Sequence, residues 1–441
     1  MKGGVERDRT VFGWCMYDWA NSAFATTTLA TLLPVYFAEA VTPRAGVRVP
    51  VLGVTTNATT LWGVTVGGSA LFVALIGPVL GAIADFSAWK RRFLTFFCCI
   101  GGLSAASMCV LQPGDVWLAL FLMAVGNVGF VGGNVFYDAF LPHLAREDRL
   151  DALSGRGYAY GYFGGGLLFL VNLLLIQYHE ALGMGMGTAV RLSLFSAGLW
   201  WLAFGLAALY LLSEAPATGR LPPGVSVVAF GVQRTWGTFR KALRHRHLWV
   251  FLAAFMIYND AIQTVLSMAA IYGKAELGFE MGTLLGCFLM IQIVAGPGAL
   301  LFGWVAGRVG ARRAIMGSLV LWMGVVFYAY RMTQPAEFWV LGGIVGVILG
   351  GSQALSRSLY GAFIPKEASA EFYGFFSVFN KFSSVWGPLV FGIVRHYSGT
   401  SRISILVTGV FFLIGLILLG LVDEEKAAEA RGVLQEESNE C

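Results

Sequence analysis

The stretch 115–142, DVWLALFLMAVGNVGFVGGNVFYDAFLP, contains two acidic residues, Asp115 at its start and Asp138 near its far end, and no base, and its ending returns later in the chain. It is long enough to cross a bilayer, which takes roughly 20 mostly apolar residues as a helix. Its last six residues, Tyr137 to Pro142, reappear as YGAFIP at Tyr360 to Pro365, an offset of 223. Two further pairs share nearly the same shift. Gly165-Gly-Leu-Leu-Phe169 matches Gly387-Pro-Leu-Val-Phe391 at 222, and Gly81-x-x-Ala84 matches Gly303-x-x-Ala306 at 222. Matches at one offset in equivalent segments signify a duplicated unit.

The whole chain agrees with that reading. Of 441 residues, 57% are hydrophobic and only 12% charged, against about 25% charged in soluble domains. Mean hydropathy is +0.70. So few charges cannot cover a soluble surface of this size, which excludes a soluble enzyme, a disulfide scaffold and a nucleic-acid binder. The six cysteines form no C-x-x-C pair. No metal, cofactor or disulfide framework is expected. Walker, H-E-x-x-H and G-x-S-x-G patterns are also missing, so the chain is not read as an enzyme.

Reading outward gives twelve spans, near 13–38, 60–84, 93–112, 115–140, 156–177, 192–213, 248–272, 281–306, 313–330, 337–361, 371–394 and 403–422. The expected fold is an all-α integral membrane protein of two six-helix repeats with both termini cytoplasmic. Residues 1–213 form the first bundle, 214–247 a cytoplasmic linker, 248–422 the second bundle and 423–441 an acidic tail. With that orientation 22 of the 30 Lys and Arg fall inside, seven outside (Arg44 among them), and Lys381 within a span. This is the positive-inside bias. The linker carries Pro216, Pro222 and Pro223; the tail, with seven acids and two bases, reads as a solvated terminus.

Polar residues inside spans follow a rhythm of three. Span 1 holds Asp18 and Asn21; span 4, Asn127, Asn134 and Asp138; span 7, Asn259, Asp260 and Gln263; span 10, Gln353 and Arg357. Spans 5, 8 and 11 carry fewer (Asn172, Gln292, Asn380 and Lys381), and the interiors of 3, 6, 9 and 12 none. A charge at mid-bilayer costs about 2.5–3.5 kcal/mol even on the lenient insertion scale, so such groups face water or each other. Spans 1, 4, 7 and 10 are therefore expected to line a polar path. Asp18 and Asp260 are the candidate proton carriers. Lys381 is expected to reach Asp260, and Lys381 or Arg357 could hold a substrate carboxylate. Tyr17, Trp19 and Tyr258 would shape the pocket, with Asn21, Asn134, Asn259, Gln263 and Gln353 as polar contacts. Each position also has a structural reading: Asp18 could serve as a cap or pair with Arg7 or Arg9, while Asp138 and Arg357 could be packing or gating groups.

Twelve spans in two repeats, with Gly81-x-x-x-Asp85 and a basic loop after span 2, resemble the major facilitator superfamily. The resemblance implies that Asp85, with Arg91 or Arg92, locks helix 2 against helix 11 at the cytoplasmic face. Phe86, Ala88 and Trp89 depart from the usual motif, and Gly307 replaces the acid in the second copy. A narrower likeness is carried by Trp14-x-x-Tyr17-Asp-Trp-Ala-Asn-Ser-Ala-Phe24, Arg156-Gly-Tyr-x-x-Gly-Tyr162, Tyr258-Asn-Asp260 and Gln353-Ala-Leu-Ser-Arg-Ser358. These resemble the vacuole-effluxer-like (UMF) family, whose eukaryotic member is associated with amino-acid export. Arg156 and Asp138 join the gating candidates.

The function expected is secondary transport of a small polar solute, amino acids included, across a cell inner membrane by alternating access with proton coupling. The partners would be that solute, a proton or other ion and membrane lipid, with no nucleic acid, and the protein would be a monomer. The rival readings are an uncoupled facilitator or lipid permease, and a transporter-like receptor or scaffold.

Overall fold

The computed structural model describes residues 2–43, 46–49, 53, 55–214, 226–384 and 386–439. Arg44, Pro216, Pro222, Pro223 and Cys441 lie outside the described residues. Helices dominate. They are α1 (Lys2–Ala23), which runs on through π-helical turns at Phe24–Leu32 and Phe37–Val41, then α2 (Ala58–Ser87), α3 (Lys90–Ser107), α4 (Val116–Ala139), α5 (Leu150–Gln177) and α6 (Met186–Leu211). After the linker helix α7 (Val227–Ala242) come α8 (Arg246–Ala275), α9 (Met281–Val309), α10 (Ala311–Arg331) and α11 (Pro335–Phe363). The chain closes with α12 (Ser369–Phe382), α13 (Trp386–Ser398), α14 (Ser401–Gly420) and α15 (Glu424–Asn439). One small hairpin, Val47–Arg48 against Thr55–Thr56, decorates the loop after α1.

Eleven described helices are long and apolar enough to cross a membrane. The expected span at 371–394 is instead two helices of 14 and 13 residues, α12 and α13. Its break has a local cause. Pro388 offers no amide hydrogen and its ring crowds the carbonyl four residues earlier, so it starts a helix but does not continue one. Just before it, Ser383 Oγ turns back to donate to the Asn380 carbonyl at 2.6 Å.

The described residues group into two compact units. Unit 1 comprises 1–76, 89–137 and 160–214; unit 2 comprises 77–88, 138–159 and 215–441. Within unit 1, Gly198 of α6 lies on the backbone of α3, where an added Cβ would strike the Ala106 amide nitrogen. In unit 2 the expected glycine series on α11 is used in the same way. Gly342 faces Cys287, Gly346 faces Ile291 and Val294, and Gly350 faces the Ala295 carbonyl, all on α9. Helices in lipid gain little from burying apolar side chains, so close backbone approach supplies the packing.

The acidic tail is not a solvated terminus. It forms α15, with Ala427 and Leu434 buried. Asp423 caps it, accepting from the amides of Glu425 (3.1 Å) and Lys426 (3.3 Å). Those hydrogen bonds, Lys426 first, hold the Asp423 carboxyl below its ordinary range.

Gly198→Val should lower the detergent-solubilised melting temperature, by an overpacking cost of about 1–3 kcal/mol. Gly307→Val, where an added Cβ meets nothing within 4 Å, should stay within about 0.5 kcal/mol of wild type. Equal losses at both positions would contradict the close-approach account.

Candidate functional site

Among the described residues, the expected site residues fall largely into three polar clusters. The first lies in unit 1 around α1. Asp18 accepts from Ser22 Oγ and from the Tyr137 hydroxyl of α4, both at 3.2 Å. One turn on, Asn21 Nδ2 donates to Asn134 Oδ1 at 2.7 Å. The first-helix motif explains itself in this packing. Trp14 stacks on Tyr137 at 4.7 Å and donates its indole N–H to the Tyr137 carbonyl. Tyr17 stacks on the same ring at 5.5 Å. Trp19 lies against Trp200 of α6, whose indole N–H donates to the Trp19 carbonyl. Gly161 and Gly164 of α5 approach Asp18 and Trp19 so closely that side chains there would displace them. Arg9, a candidate partner for Asp18, sits over the Tyr210 ring.

The second cluster, in unit 2, gathers where span 11 breaks. Asn259 of α8 donates to Asn380 Oδ1 at 3.0 Å and to Ser383 Oγ at 2.6 Å, holding both sides of the turn. Tyr258 shares a 2.6 Å hydrogen bond with Ser356 of α11. Asp260 is 2% exposed, and neither carboxylate oxygen has a hydrogen-bond partner among the described residues. Gly387, in the first turn of α13, rests on the Thr264 hydroxyl and the Asp260 carbonyl. The expected pairing of Lys381 with Asp260 is not formed. Both are described, yet no ion pair joins them. The physical reason is the break in span 11, since α12 ends at Phe382 just past Lys381 and the first turn of α13 takes the place beside Asp260. Gln263, Gln353 and Lys381 are half-buried.

The third cluster also belongs to unit 2, on the face carrying its Lys- and Arg-rich loops. Arg357 is 3% exposed. Its guanidinium donates to Asp138 at 3.1 Å, to Ser154 Oγ at 3.0 Å and to the Ser154 carbonyl at 3.0 Å, and it stacks on Tyr158 at 4.2 Å. Such a set satisfies a buried guanidinium, which would otherwise be strongly destabilising. Nearby, Ser358 donates to Asp151 at 2.5 Å, and the Tyr373 hydroxyl donates to the Arg357 carbonyl at 3.0 Å. Arg431 of α15 pairs with Glu147 at 2.6 Å.

Asp85, at the end of α2, completes this face. Its buried carboxylate accepts from the amides of Ala370 (3.2 Å) and Glu371 (2.9 Å), the first turn of α12. An anion there meets both the unpaired amides and the positive end of the helix dipole. The approach depends on Gly81, one turn earlier, which touches the Ala370 carbonyl, and on Gly374, which touches Pro78.

The sequence model described as "Vacuole effluxer Atg22 like" matches residues 6–432. The chain belongs to this family. Among relatives of the Atg22-like chain, "Uncharacterized MFS-type transporter YxiO" of Bacillus subtilis is 32% identical over 419 residues, covering 94% of this chain and 95% of the relative. "Autophagy-related protein 22" of Saccharomyces cerevisiae (strain S288c) is 24% identical, with 94% and 91% covered. Solved major facilitator structures share the fold. The proton:xylose symporter XylE superposes with TM-score 0.70 at 15% identity, covering 98% of this chain and 99% of XylE. FucP in its outward conformation gives 0.69 at 12% identity, covering 94% and 98%. The Atg22-like chain is an MFS-type transporter, a multi-pass membrane protein and not an enzyme.

The expected residues of this Atg22-like transporter thus divide among three places. Asp18, Asn21, Asn134, Tyr17 and Trp19 gather around α1; Tyr258, Asn259 and Asp260 follow one another on α8 beside the break; Asp138 meets Arg357, while Asp85 caps the start of α12. Arg91, Arg92 and Arg156 have exposed side chains. The Arg91 amide donates to Glu214, and Arg92 stacks on Trp89. Sequence reasoning missed Ser154, Ser383 and Trp200, and held Tyr158 only within the Arg156–Tyr162 motif, without a role. Their types are too common in helices to signal a role without the fold.

Asp85→Ala removes the acceptor from two helix-start amides and should cost about 1–3 kcal/mol of stability. Asp85→Asn, keeping one carbonyl acceptor, should lose less. Hydrogen exchange at 369–373 should accelerate in the same order, and unchanged exchange in Asp85→Ala would refute the cap.

Proposed function

We propose that this transporter moves a small polar solute, amino acids being the first class to test, by proton-coupled alternating access across a bacterial inner membrane. On this reading α12 and α13 together form span 11, the chain has twelve spans in two six-helix repeats, and both termini are cytoplasmic. The 22:7 distribution of basic residues supports that orientation. The basic face of unit 2 is then the cytoplasmic face, and Asp85, Asp138 and Arg357 are its gate residues. Repeats of this kind work by rocking about a site near the midplane.

Asp260 carries the proposal. A carboxylate deep in a span, with only the Gly387 amide near it among the described residues, leaves a charge that its surroundings offset little, and taking up a proton removes that charge. Its neighbour Asn259 grips the turn between α12 and α13, so a change at Asp260 has a jointed element beside it to move. Asp18, already held by Ser22 and Tyr137, is the second candidate carrier and the contact for a substrate amine. Trp19 with Asn21 and Asn134, and Tyr258 with Gln263 and Gln353, supply the polar and aromatic lining. Lys381 stands without an ion pair among the described residues and is assigned to the substrate carboxylate.

A thermal-shift screen of purified protein against amino acids, peptides, sugars and nucleosides at several pH values identifies the solute class, because a ligand bound only by the folded state raises its stability. Proteoliposome uptake of that solute tests the coupling. Accumulation should follow an imposed pH gradient in wild type, and Asp260→Asn should abolish accumulation while retaining solute exchange. A wild-type pH response in Asp260→Asn would remove the proton role, and the absence of any translocated solute would remove the transport reading for these classes.

A further inference from the structure

The linker helix α7 has two unlike faces. Its inner face is occupied. Gly231 packs on Ile83 and Val79 of α2, Phe230 lies 4.7 Å from Phe86, and Arg234 stacks over Phe86 at 5.6 Å. Thr238 donates to the buried Glu371 at 3.1 Å, and Phe239 contacts Trp249 and Phe375. These contacts bring α7 onto the Asp85 cap, because Glu371 is one of the two residues whose amides Asp85 holds.

Among the described residues, the outer face has no partner of that kind. Val228, Val232 and Trp236, at i, i+4 and i+8, are 64%, 52% and 54% exposed, and Leu243 just beyond the helix is 54% exposed. Arg240 is exposed and stacks over Trp236 at 5.1 Å, and Arg244 follows it. From residue 215 to 259 there is no Asp or Glu, whereas 226–247 holds five Lys and Arg. An aromatic-aliphatic stripe edged by cations, without acids, is the composition of a helix lying in the interface of an anionic membrane. Its position fits. Spans α6 and α8 flank the linker, and α8 begins at Arg246, three residues after Leu243. This keeps the end of α7 at the headgroup level.

We propose that the outer face of α7 is a seat for anionic phospholipid, with Val228, Val232, Trp236 and Leu243 entering the headgroup–acyl boundary and Arg240 and Arg244 binding lipid phosphate. Lipid bound there holds α7 down on α2 and α12, so the composition of the leaflet bears on the Asp85 cap.

The test uses the full-length protein in nanodiscs of phosphatidylcholine alone and of phosphatidylcholine with phosphatidylglycerol. Amide exchange across 227–243 should slow when phosphatidylglycerol is present, and exchange at 369–373 should slow with it. Arg240→Gln should weaken phosphatidylglycerol retention, read by native mass spectrometry, about fivefold, and adding Arg244→Gln about fivefold again. Wild-type exchange equal in the two nanodiscs overturns the proposal without relying on any variant. Retention unaltered in the double variant overturns the assignment to these arginines. Displacement by free inorganic phosphate, with no preference for lipid, would reassign the seat to a soluble anion and overturn it also.

Discussion

A guanidinium at 3% exposure in a protein of so few charges dictates what surrounds it. Arg357 cannot be left unpaired at that depth, and its partners are drawn from segments far apart in sequence: Asp138 at the end of α4, and Ser154 and Tyr158 near the start of α5. Asp85 imposes the same kind of constraint from α2, since its carboxylate and the first amides of α12 satisfy each other. These two unions gather segments 77–88 and 138–159 with the second half of the chain in one compact unit. Breaking either one exposes a buried charge or two orphaned amides, so on the proposed function they serve as discrete latches.

The break between α12 and α13 gives this arrangement a joint. Its first piece, α12, is held at its start by Asp85 and at its end by Asn259 through Asn380 and Ser383. Its second piece, α13, begins against Asp260 and Thr264. The two helices α12 and α13 therefore run between the Asp85 cap and the buried carboxylate. On the proposed function, protonation at Asp260 is felt at the joint, and the joint ends at the cap.

Much of this was legible in the chain before any coordinates. The scarcity of charge places the protein in a membrane, and the rarity of polar residues inside spans picks out Asp18, Asp138, Asp260 and Arg357. Gly81 and Asp85 were legible only through the resemblance of Gly81-x-x-x-Asp85 to the major facilitator motif, which implies a lock between helices 2 and 11. The pairings were less so. Lys381 lies at a depth similar to Asp260, and depth alone suggested an ion pair; the turn around Ser383 and Pro388 changes which atoms face Asp260. The length and charge of Arg357 suit a substrate carboxylate, while its actual partners, Asp138, Ser154 and Tyr158, depend on how α4 and α5 meet α11. The tail was read as solvated from its acidity. Its buried residues, Ala427 and Leu434, are two apolar positions seven apart, too sparse a stripe to announce a packed helix.

The central claim of the proposed function is that Asp85 and the Asp138–Arg357 pair act as gate residues that hold the basic face together. Its most direct test is a distance distribution by pulsed electron paramagnetic resonance between spin labels at Arg146 and Lys426, whose side chains are 80% and 66% exposed. The account predicts one narrow population in the otherwise wild-type protein, and a second, longer one when Asp85→Asn and Asp138→Asn are combined. An identical distribution in both proteins would contradict it.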